Sequence, residues 1–208
     1  MTRFTKKAGP AEVPARDLVA RHPVEWQQAV QHPFLDGVRD GRVPVLAFNV
    51  WLEQDYLFAV DLLAFQARLL SFAPRAAQLA LATGLVALEA ELGWFESQAE
   101  LRELQLGRDR QPATEAYRVA LARLLEEGFE PATTALWALE RAYLEAWRSA
   151  APGAPAYREF VEHWTTPEFG DYVVQLEALA GDGLDADAAF LEVCSLEHRF
   201  WDMAWSAR

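Results

Sequence analysis

Three carboxylates occupy apolar helix faces, where acidic side chains are rarely found. Asp55, Glu140 and Glu197 each lie three or four residues from aromatic and aliphatic side chains, which places them on one face of a helix. Such a face normally packs into the core, and an unpaired buried carboxylate is strongly unfavourable there. We therefore expect the three acids to meet in one polar pocket with aromatic walls.

The composition excludes several functional classes. The chain has 208 residues and a formal net charge of -12, which argues against a nucleic-acid partner. Lys6 and Lys7 are the only lysines and lie near the N-terminus, so neither a lysine Schiff base nor a phosphate-loop lysine is expected. No apolar run is long enough to predict a membrane span or a signal peptide. The single cysteine, Cys194, allows no intrachain disulfide, which favours a cytoplasmic location.

The elements that must position the acids are predicted to be helices throughout. We expect an all-α, multi-helix bundle, with residues 1–13 as a flexible tail and residues 14–208 as a single helical domain. Gly84 and Gly93 are candidate points of close helix packing. The predicted helical segments are 14–31 (broken at His22-Pro23), 32–36, 44–72, 75–106, 113–127, one that begins at Pro131 and precedes the loop at 151–155, 157–164, 167–180 and 185–205.

Motifs along most of the chain resemble one known family. Its opening pattern is matched by His-Pro-Phe at 32–34, Asp-Gly at 40–41 and the segment 48–55, and its closing pattern by Glu-His-Arg-Phe-Trp-Asp-Met-Ala at 197–204. Tyr117 fits the tyrosine of the middle helix. The chain thus resembles the TenA family, the thiaminase II-like aminopyrimidine hydrolases of thiamin salvage. The resemblance implies a heme-oxygenase-like fold and a homodimer or homotetramer.

This chain differs from thiaminase II at the position of the nucleophilic cysteine. An ungapped match places Tyr143 on the family's tyrosine and Leu139 where thiaminase II has its cysteine. The segment 137–143 instead resembles the branch of the family that lacks this cysteine. That branch is associated with hydrolysis of aminomethyl- or formylaminomethyl-pyrimidine to hydroxymethyl-pyrimidine, so thiaminase II activity itself is not expected.

Asp55 is a candidate anchor for the substrate. An aminopyrimidine presents an exocyclic amine beside a ring nitrogen, and the two oxygens of a carboxylate match that pair when the ring is protonated. The alternative is a structural ion pair with Arg39 or Arg42. The resemblance favours the substrate-binding role.

Glu197 and Glu140 are the candidate catalytic residues. Apolar burial would bring the pKa of Glu197 toward neutrality, so that it could protonate a leaving amine and then activate water. Its alternative is a salt bridge with Arg199 or with an arginine of another helix. Glu140 could orient substrate or water in a site without a thiol; alternatively it pairs near Arg141 or accepts from a buried hydroxyl.

Further candidates for substrate binding are one acid and a set of aromatic residues. Either Glu89 or Glu91 should face inward, and we assign Glu91 to the site. Flat rings could stack on a heterocycle, although aromatic stripes at helical spacing are usually core. The aromatic candidates are Trp51, Phe58, Tyr117, Tyr143, Trp164 and Phe200.

No cofactor or metal is predicted. The four histidines are scattered and no Glu-x-x-His pair occurs, so a di-iron site is not expected. Only His22 offers a weak axial ligand for haem, and Cys194 is assigned to packing rather than to nucleophilic chemistry. Two rival functions remain open: a non-catalytic heterocycle-binding protein, and a metal- or haem-dependent oxidase on the same fold.

Overall fold

The computed structural model describes residues 15–181 and 183–207. The all-α class is confirmed, because the described residues contain no strand; the predicted tail at 1–13 lies outside them. The helices are α1 (Asp17–Arg21), α2 (Pro23–Val30), α3 (Pro33–Asp40), α4 (Val45–Phe72), α5 (Arg75–Leu101), α6 (Pro112–Glu127), α7 (Phe129–Ser149), α8 (Arg158–His163), α9 (Pro167–Glu177) and α10 (Leu184–Ser206).

Local signals in the sequence explain where several helices begin. His32 caps α3 by accepting a hydrogen bond from the backbone N–H of Phe34 at 3.1 Å. Thr166 caps α9 in the same way, accepting from the N–H of Phe169 at 3.2 Å. In both helices a proline follows the cap, where its fixed φ and missing N–H cost nothing.

Several predicted boundaries were wrong: the segment predicted at 32–36 is a helix that continues to Asp40, and the helix expected to reach residue 180 ends at Glu177. Two further errors have clear physical reasons. The helix expected to reach residue 106 ends at Leu101, because Glu103 adopts a left-handed φ of 55°. The backbone N–H of Leu104 then donates to the carbonyl oxygen of Ala99 at 2.9 Å. The helix expected to begin at Pro131 begins two residues earlier, at Phe129. A proline in the first turn removes no intrahelical hydrogen bond, so it marks the beginning of a helix only approximately.

The long helices enclose the centre of the bundle. The helix α4 packs against α5, α6, α7 and α10, and α7 packs against α9 and α10. Gly84 lies at a close contact on the inner face of α5, since a Cβ there would lie 2.1 Å from Gln66 Nε2, whereas Gly93 has open space around it. The predicted role in close packing therefore applies to Gly84 alone.

The helix α5 is long and apolar enough to cross a membrane by length and composition, the one such helix in the described ranges. Helices of soluble bundles pass the same test. Its inner side packs into the core through Leu81 and Leu88, which are buried. Its outer side leaves Leu79 and Val86 at 74% and 72% exposure, so the bundle covers only one side of this apolar helix.

Candidate active site

A cavity lies at the centre of the bundle, bounded by α4, α5, α7, α9 and α10. The space between its walls, open solvent included, is about 400 Å³. The predicted site residues that line it are Asp55, Phe58, Glu91, Glu140, Tyr143, Trp164 and Glu197. An adjoining space of about 210 Å³ shares four of these residues and adds Tyr117 and Phe200. The three acids from different apolar faces therefore meet in one place.

Asp55 is paired with a tyrosine rather than with an arginine. The Tyr143 hydroxyl donates to Asp55 Oδ2 at 2.5 Å. Arg39 and Arg42 instead bind Asp40 at the surface, so the alternative ion pair is not formed. Burial raises the pKa of the Asp55 carboxyl well above its ordinary value, and the hydrogen bond from Tyr143 opposes that shift.

Glu197 has the same kind of partner. The Tyr117 hydroxyl donates to Glu197 Oε1 at 2.5 Å, and both side chains are buried. Burial raises the pKa of Glu197 to about 7, against the lowering effect of this hydrogen bond. Arg199 is exposed and forms no salt bridge with Glu197. A carboxyl group with a pKa near 7 is suited to both giving and taking protons at neutral pH.

Glu91, rather than Glu89, faces the cavity. The indole N–H of Trp164 donates to Glu91 Oε1 at 2.8 Å, while Glu89 is exposed. Burial raises the pKa of Glu91 to about 7, and the hydrogen bond from Trp164 lowers it. Glu91 therefore adds a second carboxyl group that titrates near neutrality.

Glu140 differs from the other acids because no described residue donates a hydrogen bond to it. The residue as a whole is only 7% exposed. Arg141, its neighbour in sequence, binds Glu145 and Glu177 instead. Burial raises the pKa of Glu140 well above its ordinary value, with further increases from the charges of Glu91 and Glu197.

The balance of charge in the cavity is one-sided. Four carboxyl groups line it, and no arginine, lysine or histidine lines either it or the adjoining space. Ionising all four in this confined space would be very unfavourable, so part of the set holds protons at neutral pH. Such a site favours a ligand that brings a positive charge or several N–H donors.

Aromatic residues form the walls. Trp164 packs edge-on against Tyr143, with 5.3 Å between the ring centroids. The ring centroids of Phe58 and Tyr117 are 4.7 Å apart. Trp51 does not line either space: it is fully buried behind Trp164, with 5.6 Å between their ring centroids. The structure thus places Trp51 one layer away from any ligand in the cavity.

Six residues that line the cavity had no assigned role in the sequence analysis: Ala59, Leu62, Leu88, Phe95, Leu139 and Phe169. Leu139 contributes an apolar wall at the position where the resemblance expects a cysteine. Phe169 of α9 also lines the cavity. Helical spacing places Phe169 on an inner face, but it does not tell which helices that face meets.

The described residues show neither a metal-ligand cluster nor an activated cysteine. No group of three or more His, Cys, Asp or Glu within 15–181 and 183–207 is arranged to hold a metal ion. Cys194 is buried, and burial raises the pKa of its thiol to about 12, with a further increase from the charge of Glu197. The thiolate is therefore disfavoured.

Sequence comparison identifies the family. The model of the TENA/THI-4/PQQC family matches residues 20–207. The chain belongs to this family. It is 28% identical to a Glycine max protein named "Probable bifunctional TENA-E protein", over 96% of this chain and 94% of that one. It is also 24% identical to an aminopyrimidine aminohydrolase of Halalkalibacterium halodurans, over 88% of this chain and 91% of that one.

Structural comparison agrees with this assignment. A TenA homologue from Pyrococcus furiosus superposes with a TM-score of 0.86 at 29% sequence identity, covering 92% of this chain and 99% of that chain. The heme-oxygenase-like fold implied by the motifs is thereby confirmed. Membership of the TenA family supports a hydrolase of thiamin metabolism, which fits a cavity rich in carboxyl groups and aromatic rings.

Proposed function

We propose that the protein hydrolyses an aminopyrimidine that bears an aminomethyl or formylaminomethyl group, and releases hydroxymethyl-pyrimidine. One observation carries the proposal: a buried glutamic acid with a pKa of about 7, Glu197, shares a cavity with a second buried acid, Asp55. The first is suited to proton transfer and the second to binding a heterocycle through charge-assisted hydrogen bonds.

Asp55 is the proposed anchor. One of its oxygens accepts from Tyr143, and the carboxylate retains free lone pairs for the exocyclic amine and a protonated ring nitrogen. Phe58 and Trp164 would contact the faces of the ring. Bound in this way, the heterocycle holds its substituted methylene within the same cavity as Glu140 and Glu197.

The proposed reaction breaks the bond between the methylene carbon and nitrogen and forms a bond from that carbon to water. A formylated nitrogen is neutral, so Glu197 in its acid form gives it a proton as formamide departs, and the resulting carboxylate takes a proton from the attacking water. An aminomethyl nitrogen bound as an ammonium already carries that proton and departs as ammonia, so there Glu197 acts only as the base that takes a proton from water. Glu140 orients the water or the amine. Leu139 at the cysteine position leaves no thiol for a covalent intermediate there, so direct attack by water is the simpler route.

The charge of the cavity favours the aminomethyl substrate over the formylaminomethyl one. An alkyl ammonium group is positive at neutral pH, and the cavity holds four carboxyl groups with no lining cation. A formylated amine is neutral and gains less from this field.

The deciding experiment is product analysis with three substrates. Purified protein treated with a chelator is incubated with aminomethyl-pyrimidine, formylaminomethyl-pyrimidine or thiamin, beside Glu197→Gln and a surface control, Glu192→Gln. We expect hydroxymethyl-pyrimidine from the aminomethyl substrate with wild type and Glu192→Gln, none with Glu197→Gln, and intact thiamin throughout. No turnover together with a ligand-dependent rise in Tm would indicate a binding protein, and bound iron or a haem absorbance would indicate an oxidase.

The finer expectations on assembly and location also stand as proposals. We propose a cytoplasmic homodimer or homotetramer in which a second copy covers the outer face of α5. The exposed Leu79 and Val86 on that face support this surface. Light scattering on the variant with Leu79→Glu and Val86→Glu should give a smaller species than wild type; an unchanged mass would exclude this face.

A further inference from the structure

A polar layer lies one helical turn beyond the cavity, where apolar packing would be expected. On each of three helices, one member of this layer lies three or four residues away in sequence from a residue that lines the cavity. The pairs are Leu62 with Gln66 on α4, Leu88 with Gly84 on α5, and Phe169 with Tyr172 on α9. The three members meet, since a Cβ on Gly84 would lie 2.1 Å from Gln66 Nε2 and 2.2 Å from Tyr172 Oη.

The orientation of the Gln66 amide is fixed by a backbone group. Its Nε2 donates to the carbonyl oxygen of Leu81 at 2.8 Å and also to Tyr172 Oη at 3.0 Å. Exchanging the amide nitrogen and oxygen would set two oxygens against each other at Leu81, so the nitrogen faces Tyr172. The Tyr172 hydroxyl is therefore an acceptor toward Gln66.

The hydroxyl proton of Tyr172 is left without an acceptor among residues 15–181 and 183–207. Tyr172 is half-buried, and a hydroxyl proton that is largely removed from water should point to a polar partner. The carboxyl group whose charge acts on Tyr172 is Glu140, which itself lacks a donor. A donor without a described acceptor and an acceptor without a described donor thus lie within electrostatic reach of each other, and Tyr172 is one helical turn from Phe169, which lines the cavity beside Glu140.

Building on the proposed function, we infer that Tyr172 is a positioning residue for Glu140. Its hydroxyl donates to the Glu140 carboxylate through one water molecule, and Gln66 holds the hydroxyl in the donating orientation. The relay runs from the Leu81 carbonyl through Gln66 and Tyr172 to Glu140. It gives Glu140 the donor that the other three acids receive from Tyr143, Tyr117 and Trp164.

The relay predicts a specific change in the titration of Glu140. The titratable groups that face Glu140 are Asp55 on α4, Glu91 on α5, Tyr143 on its own helix, Tyr172 on α9 and Glu197 on α10. A donor favours the ionised carboxylate and lowers its pKa, whereas the neighbouring acids raise it. Removing the Tyr172 hydroxyl alone should therefore raise the pKa of Glu140.

Infrared difference spectroscopy measures this pKa directly. The protonated carboxyl band of Glu140, assigned with Glu140→Gln, is titrated in wild type, Tyr172→Phe and the matched control Tyr157→Phe, whose hydroxyl lies outside the cavity. We expect the midpoint to rise by about one pH unit in Tyr172→Phe and to stay unchanged in Tyr157→Phe. Gln66→Met, which leaves the hydroxyl free to turn, should move it in the same direction and serves if Tyr172→Phe does not fold.

Kinetics with the aminomethyl substrate give the second measurement. We expect Tyr172→Phe to lower kcat by roughly tenfold near neutral pH, with KM within about twofold of wild type. The ratio of its kcat to that of wild type should recover as pH rises, because Glu140 then ionises. A loss that is equal at every pH, or an unmoved infrared midpoint in both Tyr172→Phe and Gln66→Met, would overturn the relay. A shifted midpoint in a protein that turns over no pyrimidine would keep the relay and reject the proposed function.

Discussion

Acidic side chains at the surface and in the cavity of this protein have different partners. Outside the cavity they bind arginine: Arg110 holds the largely covered Asp61 through two hydrogen bonds of 2.8 and 2.7 Å, and Arg123 binds the more exposed Glu127 and Glu192. In the cavity the donors are neutral groups of tyrosine and tryptophan. The same residue type therefore serves structure in one region and has a pKa raised by burial in the other.

The difference follows from the charge of the donor. A guanidinium group stabilises a carboxylate by its full charge, whereas a neutral hydroxyl or indole cannot offset the loss of hydration that raises the pKa of an acid on burial. Surrounding an acid with neutral donors positions it while leaving it able to accept and release a proton. The TenA fold achieves this by placing its acids on faces rich in aromatic residues.

The largest expected difference in kcat is between two variants of helix α10, one in the cavity and one at the surface. Glu197→Gln removes the proton donor and acceptor and should lower kcat for the aminomethyl substrate by at least about a hundredfold. Glu192→Gln, on the same helix, breaks a surface ion pair and should leave kcat within about twofold of wild type. Steady-state kinetics at pH 7 measure both, and comparable losses in the two variants would contradict the contrast.

The second contrast lies on α4 and concerns binding. Asp55→Asn removes a charged acceptor and should weaken affinity for an aminopyrimidine by roughly thirtyfold. Asp61→Asn disturbs only the partner of Arg110, so its affinity should stay within about threefold of wild type. Isothermal titration with hydroxymethyl-pyrimidine, which does not react, gives both values; equal weakening would remove Asp55 from the proposed anchor.

The raised pKa of Glu197 also predicts how stability depends on pH. Its folded value of about 7 exceeds the ordinary 4.5, so the folded chain holds the proton more tightly than the unfolded chain. The contribution is fully favourable below about pH 4.5 and is lost as pH rises through 7. Glu197→Gln avoids this loss and should raise the free energy of unfolding at pH 8 by roughly 2 kcal/mol. Urea unfolding at pH 5 and pH 8 tests this, and a gain of the same size at both pH values would contradict it.

The sequence predicted the elements of the site better than their connections. Asp55 and Glu140 stood out because each acid interrupts an apolar stripe of its own helix, and helical periodicity is a local signal. The choice between Glu89 and Glu91 required the neighbouring helix, since the indole N–H of Trp164 distinguishes them in space. Contacts between helices, such as that from Gln66 to Tyr172, leave no mark in the spacing of either segment.

The predicted end of helix α5 was wrong for a related reason. The end of α5 depends on the left-handed conformation of Glu103, which a non-glycine residue seldom adopts and which no sequence signal announces. The beginning of α9 was predicted correctly at Pro167, because a capping threonine and a proline together define it. Prediction succeeded where the physical cause lies within one turn of the chain.

The smallest expected effect concerns an exposed ion pair on α6, between Glu115 and Arg118. The two side chains form a close pair, but each is 45% exposed, so water and salt screen the attraction. Glu115→Gln should shift Tm by less than about 2 °C, and the shift should vanish at high salt. Differential scanning calorimetry at low and high salt measures it. A large shift that persists in salt would mean that surface pairs contribute as much as cavity acids, which would remove the distinction between the two regions.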